Sequence, residues 1–340
     1  MQPIAILATG MVTGVGLNAP ASCAAIRCGL TNFAETRFID STGQWIIGSE
    51  VPMEQPWRGR AILVHMVAPA IQECLDAVEG IDPSQVPLLL CVAEKERPGR
   101  LQGLDENLLN EVASELGTEF HPSSQIIADG RVGGAVAIKK AEELLYRYRK
   151  PYCIIAGVDS YLVAGTLSEY EKRDRLLTPA NSNGFIPGEA GAAVLLGPPT
   201  PSSNNTLTIS GIGFGTETAT IESEEPLHAD GLVQAIKESL AASNLKMADL
   251  DYRITDISGE QYGFKEASLA LTRILRDRKE EFDIWHPADC IGEVGSAIVP
   301  CSLAVAMASA RKKYARGNRV LCHYSNDDGA RAAAILSSEM

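Results

Sequence analysis

Two charged residues stand at the head of two similar apolar segments. Arg131 begins RVGGA at 131–135, and Glu293 begins EVGSA at 293–297, so the two starts are 162 residues apart. A buried arginine without a counterion would be very costly. The spacing therefore predicts that Glu293 neutralises Arg131; the alternative is that Arg131 points to solvent and never meets Glu293.

A second group that could do chemistry lies just ahead of the second segment. His286, Asp289 and Cys290 fall together in HPADC at 286–290. An imidazole that removes the proton of a nearby thiol creates a nucleophilic thiolate, which is the basis of covalent acyl transfer. The simpler interpretation is a core cysteine and a loop histidine, and the sequence leaves both interpretations open. Two further candidates are His323, in a late apolar strand, and Asp129, beside the first segment.

Both apolar segments belong to a repeated unit of a helix followed by two strands. The strands are expected at 153–157 and 188–195 in the first copy, and at 320–323 and 328–335 in the second. The small residues at 133–135 correspond in this alignment to those at 295–297, and they would allow close helix packing. The helix at 295–309 is apolar on nearly every side, which is typical of a core helix. We therefore expect two buried helices back to back between two sheets.

The rest of the chain alternates strands and helices, which predicts mostly parallel sheets in layered α/β packing. The stretch 198–205 is rich in proline and small polar residues and predicts a linker. It divides the chain into an N-terminal half at 1–200 and a C-terminal half at 201–340. A glycine-rich stretch at 211–215 has the wrong spacing for dinucleotide binding, and no helix is expected directly after it.

Composition excludes several classes of protein. The net charge is −13 with no basic stripe, which argues against a nucleic-acid partner. No apolar run approaches the roughly 18 residues of a membrane span, and no signal peptide is evident. The eight cysteines and five histidines show no metal-ligand spacing. We expect a cytoplasmic protein with reduced thiols, no metal and no cofactor.

Three motifs, taken in chain order, resemble the β-ketoacyl-acyl-carrier-protein synthases of the thiolase superfamily. They are TGMVTGVG at 9–16, TPANSNGFIPGEAG at 178–191, and the strand at 209–215 followed by Asp230-Gly231. The second is the most specific, being similar to the family's “RPFDxxRDGFVxGEG” segment. The resemblance implies a thiolase-like fold of two βαβαβαββ halves packed as α-β-α-β-α layers. It also implies a role in fatty acid or polyketide biosynthesis, a homodimer or a heterodimer with a related synthase, and an acyl thioester or acyl-carrier protein as partner.

Members of that family use a cysteine thiolate and two histidines, and this chain departs at each position. The nucleophile position falls at Arg131, the first histidine position within 258–261 near Glu260, and the second at Glu293. The C-terminal “GFGGTN” loop has become SNDDGA at 325–330. The resemblance therefore predicts a synthase-like protein that no longer catalyses decarboxylative condensation and acts as a binding or assembly partner. The alternative is an active 3-oxoacyl-acyl-carrier-protein synthase, or another acyltransferase, that uses non-standard residues such as Cys290 and His286.

Overall fold

The structure is a computed structural model that describes residues 1–200 and 206–338. Most of the predicted linker, 201–205, lies outside the described residues, so the division of the chain at 200 stays a prediction. The N-terminal half contains, in chain order, β1 (Ile4–Thr13), α1 (Ala19–Arg27), β2 (Ala34–Ile39), β3 (Trp45–Gly48), α2 (Arg60–Asp76), β4 (Leu88–Cys91), α3 (Leu108–Glu115), β5 (Gln125–Ile127), α4 (Gly133–Glu142), β6 (Cys153–Ser160), α5 (Ala164–Lys172) and β7 (Glu189–Gly197). The hairpin β2–β3 and helix α5 are additions that the sequence pattern did not predict.

The C-terminal half repeats the same order of elements. It contains β8 (Leu207–Thr216), α6 (Asp230–Ser243), β9 (Tyr252–Thr255), α7 (Gln261–Ile274), β10 (Ile284–Trp285), α8 (Ala288–Ile291), α9 (Ile298–Arg311), β11 (Arg319–Ser325) and β12 (Ala330–Ser338). Without α1, α5, α8 and the hairpin, each half reads βαβαβαββ. The predicted duplication of the fold is confirmed.

Both halves place their strands in the same spatial order. The sheet runs β10-β9-β11-β12-β8-β1-β7-β6-β4-β5, so each half contributes five strands and the halves meet where β1 pairs with β8. That junction consists of two residue pairs, Ile4 with Ile209 and Ala5 with Thr208. The prediction of mostly parallel sheets is wrong. The outer three strands of each half are parallel, whereas β6–β7, β11–β12, β12–β8, β8–β1 and β1–β7 are antiparallel. Strands β11 and β12 are joined by a short turn, which antiparallel pairing allows without a crossover.

Helices α4 and α9 lie together in the middle layer, as the apolar pattern predicted. Their core side chains pack against the inner faces of both halves of the sheet, while α2 and α3 cover one outer face and α6 and α7 the other. Helix α9 is buried from Ile298 to Met307. A Cβ on Gly134 would lie 2.4 Å from the Cβ of Val299, so the two helices touch where glycine leaves room. These layers give the α-β-α-β-α order.

The register of the repeat differs from the prediction. Gly130 and Gly295 have nearly equal positive φ angles, 55° and 52°, and each begins a 3₁₀ turn that leads directly into α4 or α9. The structural counterpart of Arg131 is therefore Ser296, and Glu293 lies three residues earlier in its half. The sequence alignment matched runs of small residues. The start of each helix is instead marked by a glycine with positive φ, Gly130 or Gly295, a conformation that other residues rarely adopt.

No helix in the described part of the chain has the length and apolar character needed to cross a bilayer.

Candidate functional site

Each helix start is held by a side chain from the other half of the molecule. Asn326, directly after β11, accepts a hydrogen bond from the Val132 amide at 3.3 Å and donates one to the Asp129 carbonyl at 2.9 Å. Asp159, near the end of β6, accepts one from the Ser296 amide at 3.2 Å. A helix N-terminus has several unpaired amides, so each of these exchanged contacts satisfies one of them and links the two halves.

Arg131 is paired with two carboxylates from the C-terminal half. Its Nη1 lies 3.1 Å from Glu293 Oε2, and its Nη2 lies 2.5 Å from Asp327 Oδ1. Only 12% of the Arg131 side chain is exposed. The predicted contact between Arg131 and Glu293 is confirmed, and the solvent-facing alternative is wrong.

Glu293 is almost fully buried and has three hydrogen-bond donors. Besides Arg131, the Ser258 hydroxyl donates to its Oε2 at 2.8 Å and the Gly295 amide donates to its Oε1 at 2.9 Å. The backbone of Glu293 also bridges to the loop before β7, through Ile186 and Gly188. Both oxygens of the carboxylate are therefore engaged by the protein.

Glu260, the third position taken from the family pattern, joins the same group of charges through Arg175. The Arg175 guanidinium makes two 2.7 Å hydrogen bonds to Glu260 and a further one of 2.6 Å to Asp327 Oδ2. Such two-pronged arginine–carboxylate contacts are strong and fix both side chains. We call Arg131, Arg175, Glu260, Glu293 and Asp327 the Arg131 cluster.

Charge pairing dominates the electrostatics of the Arg131 cluster. Burial by itself would lower the pKa of Arg131, but Asp327 and Glu293 hold the pKa of this guanidinium well above its usual value. Burial would likewise raise the pKa of Asp327, yet Arg131 and Arg175 hold it well below its usual range. Arg131 and Asp327 therefore stay charged across the range in which proteins are folded.

Two titratable groups beside the Arg131 cluster behave in the opposite way. Burial raises the pKa of Asp256 to about 6, although Arg131 partly offsets this. Burial, and then the charge of Arg253, lower the pKa of His323 to about 3. His323 Nδ1 lies 3.3 Å from the Thr255 hydroxyl, so it is a neutral, hydrogen-bonded strand histidine.

The charged network extends beyond the cluster on both sides. Asp159, which holds the Ser296 amide, lies 3.4 Å from Arg97, and Arg97 also binds Glu94 at 2.7 Å. On the other side, Arg331 and Glu266 form a fully buried pair at 2.7 Å. The cavity that Arg131, Asp327 and Arg331 help to line measures only about 40 Å³. Side chains therefore occupy most of this site.

The second group of candidate residues lies elsewhere. Cys290 and His286 line a different cavity, and His323 is not part of it. The Cys290 thiol lies 3.9 Å from the Ile26 carbonyl, and burial followed by the nearby Asp289 raises its pKa. His286 Nδ1 approaches Asp289 Oδ2 at 2.7 Å without the alignment of a hydrogen bond. A reactive thiol needs a lowered pKa, so this geometry favours the simpler interpretation of a core cysteine.

Asp129 does not take part in the Arg131 cluster through its side chain, which is exposed and makes no ion pair with Arg131 among the described residues.

Two members of the cluster, Arg175 and Asp327, were missed by sequence reasoning. The sequence did offer a sign that Asp327 matters, because this residue lies in the loop at 325–330 that departs from the family's pattern. There was almost no such sign in the sequence for Arg175, which is a single arginine ahead of the segment at 178–191.

Among residues 1–200 and 206–338, no three or more His, Cys, Asp or Glu side chains are arranged to hold a metal ion.

Comparisons with known proteins identify the fold. No protein-family model matches the sequence, and no curated protein matches it. Solved structures do match, over 99–100% of this chain. One is a chain of the complex between a type II polyketide synthase acyl-carrier protein and its ketosynthase bound to the hexaketide, with a TM-score of 0.82, 12% identity, and coverage of 99% of this chain and 100% of that one.

Two further structures agree with this match. A chain of the complex of the ketosynthase ApeO with its chain length factor ApeC, from Xenorhabdus doucetiae, gives a TM-score of 0.75 at 15% identity, with coverage of 99% of this chain and 98% of that one. The ketosynthase from module 6 of the bacillaene synthase of Bacillus subtilis 168 gives a TM-score of 0.78 at 12% identity. The match covers 100% of this chain and 72% of that one. At such low identity the likeness establishes the fold alone. The chain has the thiolase-like fold shared by polyketide ketosynthases and chain length factors.

Proposed function

We propose that this protein is a ketosynthase-like subunit that does not catalyse decarboxylative condensation and instead acts as a binding or assembly partner. The observation that carries the proposal is the state of Arg131. It stands where the family resemblance puts the nucleophilic cysteine, and Glu293 and Asp327 hold it in place. A permanently protonated guanidinium cannot attack a thioester.

The other thiols near the Arg131 cluster do not supply a replacement. Cys91 and Cys153 lie in the buried strands β4 and β6, and burial raises the pKa of both. At neutral pH they are thiols rather than the thiolates that attack acyl groups. The carboxylates at Glu260 and Glu293 accept hydrogen bonds, whereas an enolate intermediate needs donors.

The lack of space in the site supports the same conclusion. A cavity of about 40 Å³ has no room for an acyl chain, because small-molecule sites usually measure about 300–1,000 Å³. Opening it would require breaking ion pairs whose partners are buried, which is energetically unfavourable. The cavity that Arg131 itself lines is therefore too small for the acyl chain that condensation would need.

A partner role is compatible with the proteins that share the fold. Among them are a ketosynthase in complex with its chain length factor and an acyl-carrier protein in complex with its ketosynthase. In the described part of this chain, β5 pairs on one side only, with β4, so its other edge has free backbone groups for another subunit. We infer a related ketosynthase as the partner, and a homodimer as the alternative assembly.

The catalytic part of the proposal is tested by mass spectrometry. The purified protein is incubated with acyl thioesters, including acyl-carrier-protein thioesters, and its intact mass is measured beside that of an active ketosynthase. We expect no acyl adduct on this protein while the active enzyme is labelled. An adduct on the wild type that is lost in Cys290→Ala would overturn the proposal in favour of an acyltransferase with non-standard residues.

The partner role needs a separate experiment. The chain is co-expressed with each ketosynthase encoded by its own organism, and complexes are separated by size-exclusion chromatography with light scattering. We expect one stable one-to-one complex. A chain that elutes alone or only with itself in every combination would contradict the assembly role.

A further inference from the structure

A second cavity of about 450 Å³ lies away from the Arg131 cluster and shares no lining residue with it. It opens between the end of α1, the edge strand β10, the short helix α8 and the end of α9. Its volume lies within the usual range of small-molecule sites. We call it the Trp285 cavity.

The walls of the Trp285 cavity are mainly apolar and aromatic. The apolar lining side chains are Ile26, Ile284, Trp285, Pro287, Val305 and Tyr314. Trp285 is fixed in place: its ring centroid lies 4.6 Å from that of the buried Tyr252 and 6.3 Å from that of Tyr314, nearly parallel to it. A rigid aromatic wall of this kind binds an apolar body without first having to become ordered.

Charged side chains surround this apolar surface, and most are already paired. Arg316 binds Asp283 at 2.8 Å, and Asp289 lies against His286. Arg27 is different, because no carboxylate of the described residues lies within 4.0 Å of it. Its guanidinium instead rests over the Tyr314 ring, 4.3 Å from the centroid. The Trp285 cavity therefore combines an apolar wall with one cation that has no anionic partner.

We propose that the Trp285 cavity binds a small apolar molecule with one anionic group, such as a medium-chain fatty acid. The apolar body lies along Trp285 and Val305, and the carboxylate binds the Arg27 guanidinium beside Tyr314. This site goes beyond the proposed partner function and does not depend on it. No covalent step is involved, since Cys290 on the same wall is a protonated thiol.

The chain offers a direct reporter of binding, because Trp285 is one of only three tryptophans. Replacing the other two, Trp45→Phe and Trp57→Phe, leaves Trp285 as the sole indole. This variant is titrated with sodium decanoate, 1-decanol and decyltrimethylammonium, each below its critical micelle concentration. Isothermal titration calorimetry is run in parallel, so that binding without a change of emission is still detected.

We expect saturable binding of decanoate that exceeds binding of the neutral alcohol and of the cationic amphiphile. Arg27→Gln should weaken decanoate binding by about tenfold, because a hydrogen bond to a charged group is lost. Arg316→Gln is the matched control, at the same rim and with the same change of charge. It should have a smaller effect, since Arg316 is already neutralised by Asp283.

Three outcomes would overturn the proposal. They are no saturable binding by either method, equal binding of decanol and decanoate, and equal effects of the two arginine substitutions.

A second variant, Val305→Trp, fills the cavity and should abolish binding; circular dichroism checks that it folds. Folded Val305→Trp protein that binds decanoate normally would place the ligand elsewhere. None of these results depends on whether the chain forms a complex with a ketosynthase.

Discussion

The Arg131 cluster and the Trp285 cavity use buried space in opposite ways. In the cluster, interlocking arginines and carboxylates leave about 40 Å³, whereas the Trp285 cavity keeps about 450 Å³ between apolar walls. The cluster stands where the family resemblance puts catalysis, and the cavity stands where it puts nothing. Of these two cavities, the one with more open volume lies away from the expected position of the chemistry.

The physical reason is the cost of buried charge. Once Arg131 lies at a helix start between the two halves of the sheet, it needs anionic partners, and each partner needs its own donors. Glu293, Asp327 and then Arg175 meet that need, and their side chains occupy the volume. Arg27 lies at the surface, where water solvates a guanidinium, so the Trp285 cavity can keep a cation without filling itself.

The largest effect on stability is expected in the Arg131 cluster. Arg131→Met leaves Glu293 buried without its cation, and we expect the free energy of unfolding to fall by about 3–5 kcal/mol. Urea unfolding at pH 7.5 measures this. Lys139→Met, on the helix α4 that follows Arg131 and with the same change of charge, loses only the pair of the exposed Lys139 with Glu142 and should cost about 0–1 kcal/mol. If the two losses are equal, Arg131 is not the structural centre of its cluster.

An intermediate effect is expected at Asp256, which lies beside the Arg131 cluster. Its pKa in the folded protein, about 6, is above the unfolded value of about 3.9. The folded state therefore favours the protonated form. Its contribution to stability is complete below about pH 4 and is lost as the pH rises to about 6. Above that, the charged carboxylate opposes folding.

Asp256→Asn should therefore stabilise the protein at pH 7.5 by about 1–3 kcal/mol, and by far less at pH 4.5. The measurement is the difference in unfolding free energy between wild type and variant at each pH. An equal difference at both pH values would mean that the substitution acts through packing rather than through charge.

The smallest effect belongs to the Trp285 cavity. Arg27→Met removes a cation–π contact with Tyr314 at an exposed position, and we expect a loss of only about 0.5–1 kcal/mol. The same urea unfolding experiment measures it. A loss as large as that of Arg131→Met would show that Arg27 is part of the stabilising framework, and would remove the contrast between the two regions.

Several features of the fold were predictable because they depend on local patterns. The apolar character of 295–309 predicted a core helix, and the repeated helix–strand–strand unit predicted two similar halves. The register of that repeat was not predicted correctly. Runs of small residues suggested that Arg131 and Glu293 are equivalent, whereas the positive φ of Gly130 and Gly295 sets the true correspondence.

The candidate site was predicted only in part. Arg131 and Glu293 could be paired from sequence because an arginine at a buried helix start needs a counterion. Arg175 could not be found, since no local pattern distinguishes an arginine that bridges Glu260 and Asp327 from one on the surface. Nor did the sequence indicate that Cys290 lies beside a cavity and apart from His323.

Most of the helices and strands and the duplication of the chain could be predicted from the sequence alone, and by the family resemblance Arg131 and Glu293 take the positions of a cysteine and a histidine. These conclusions depend on spacing and residue type along the chain. Which charges meet, and where space remains, depends on the tertiary structure. Contacts such as those of Arg131 with Glu293 and Asp327 join residues more than 150 positions apart, and their geometry depends on how the two halves of the sheet and the two central helices pack.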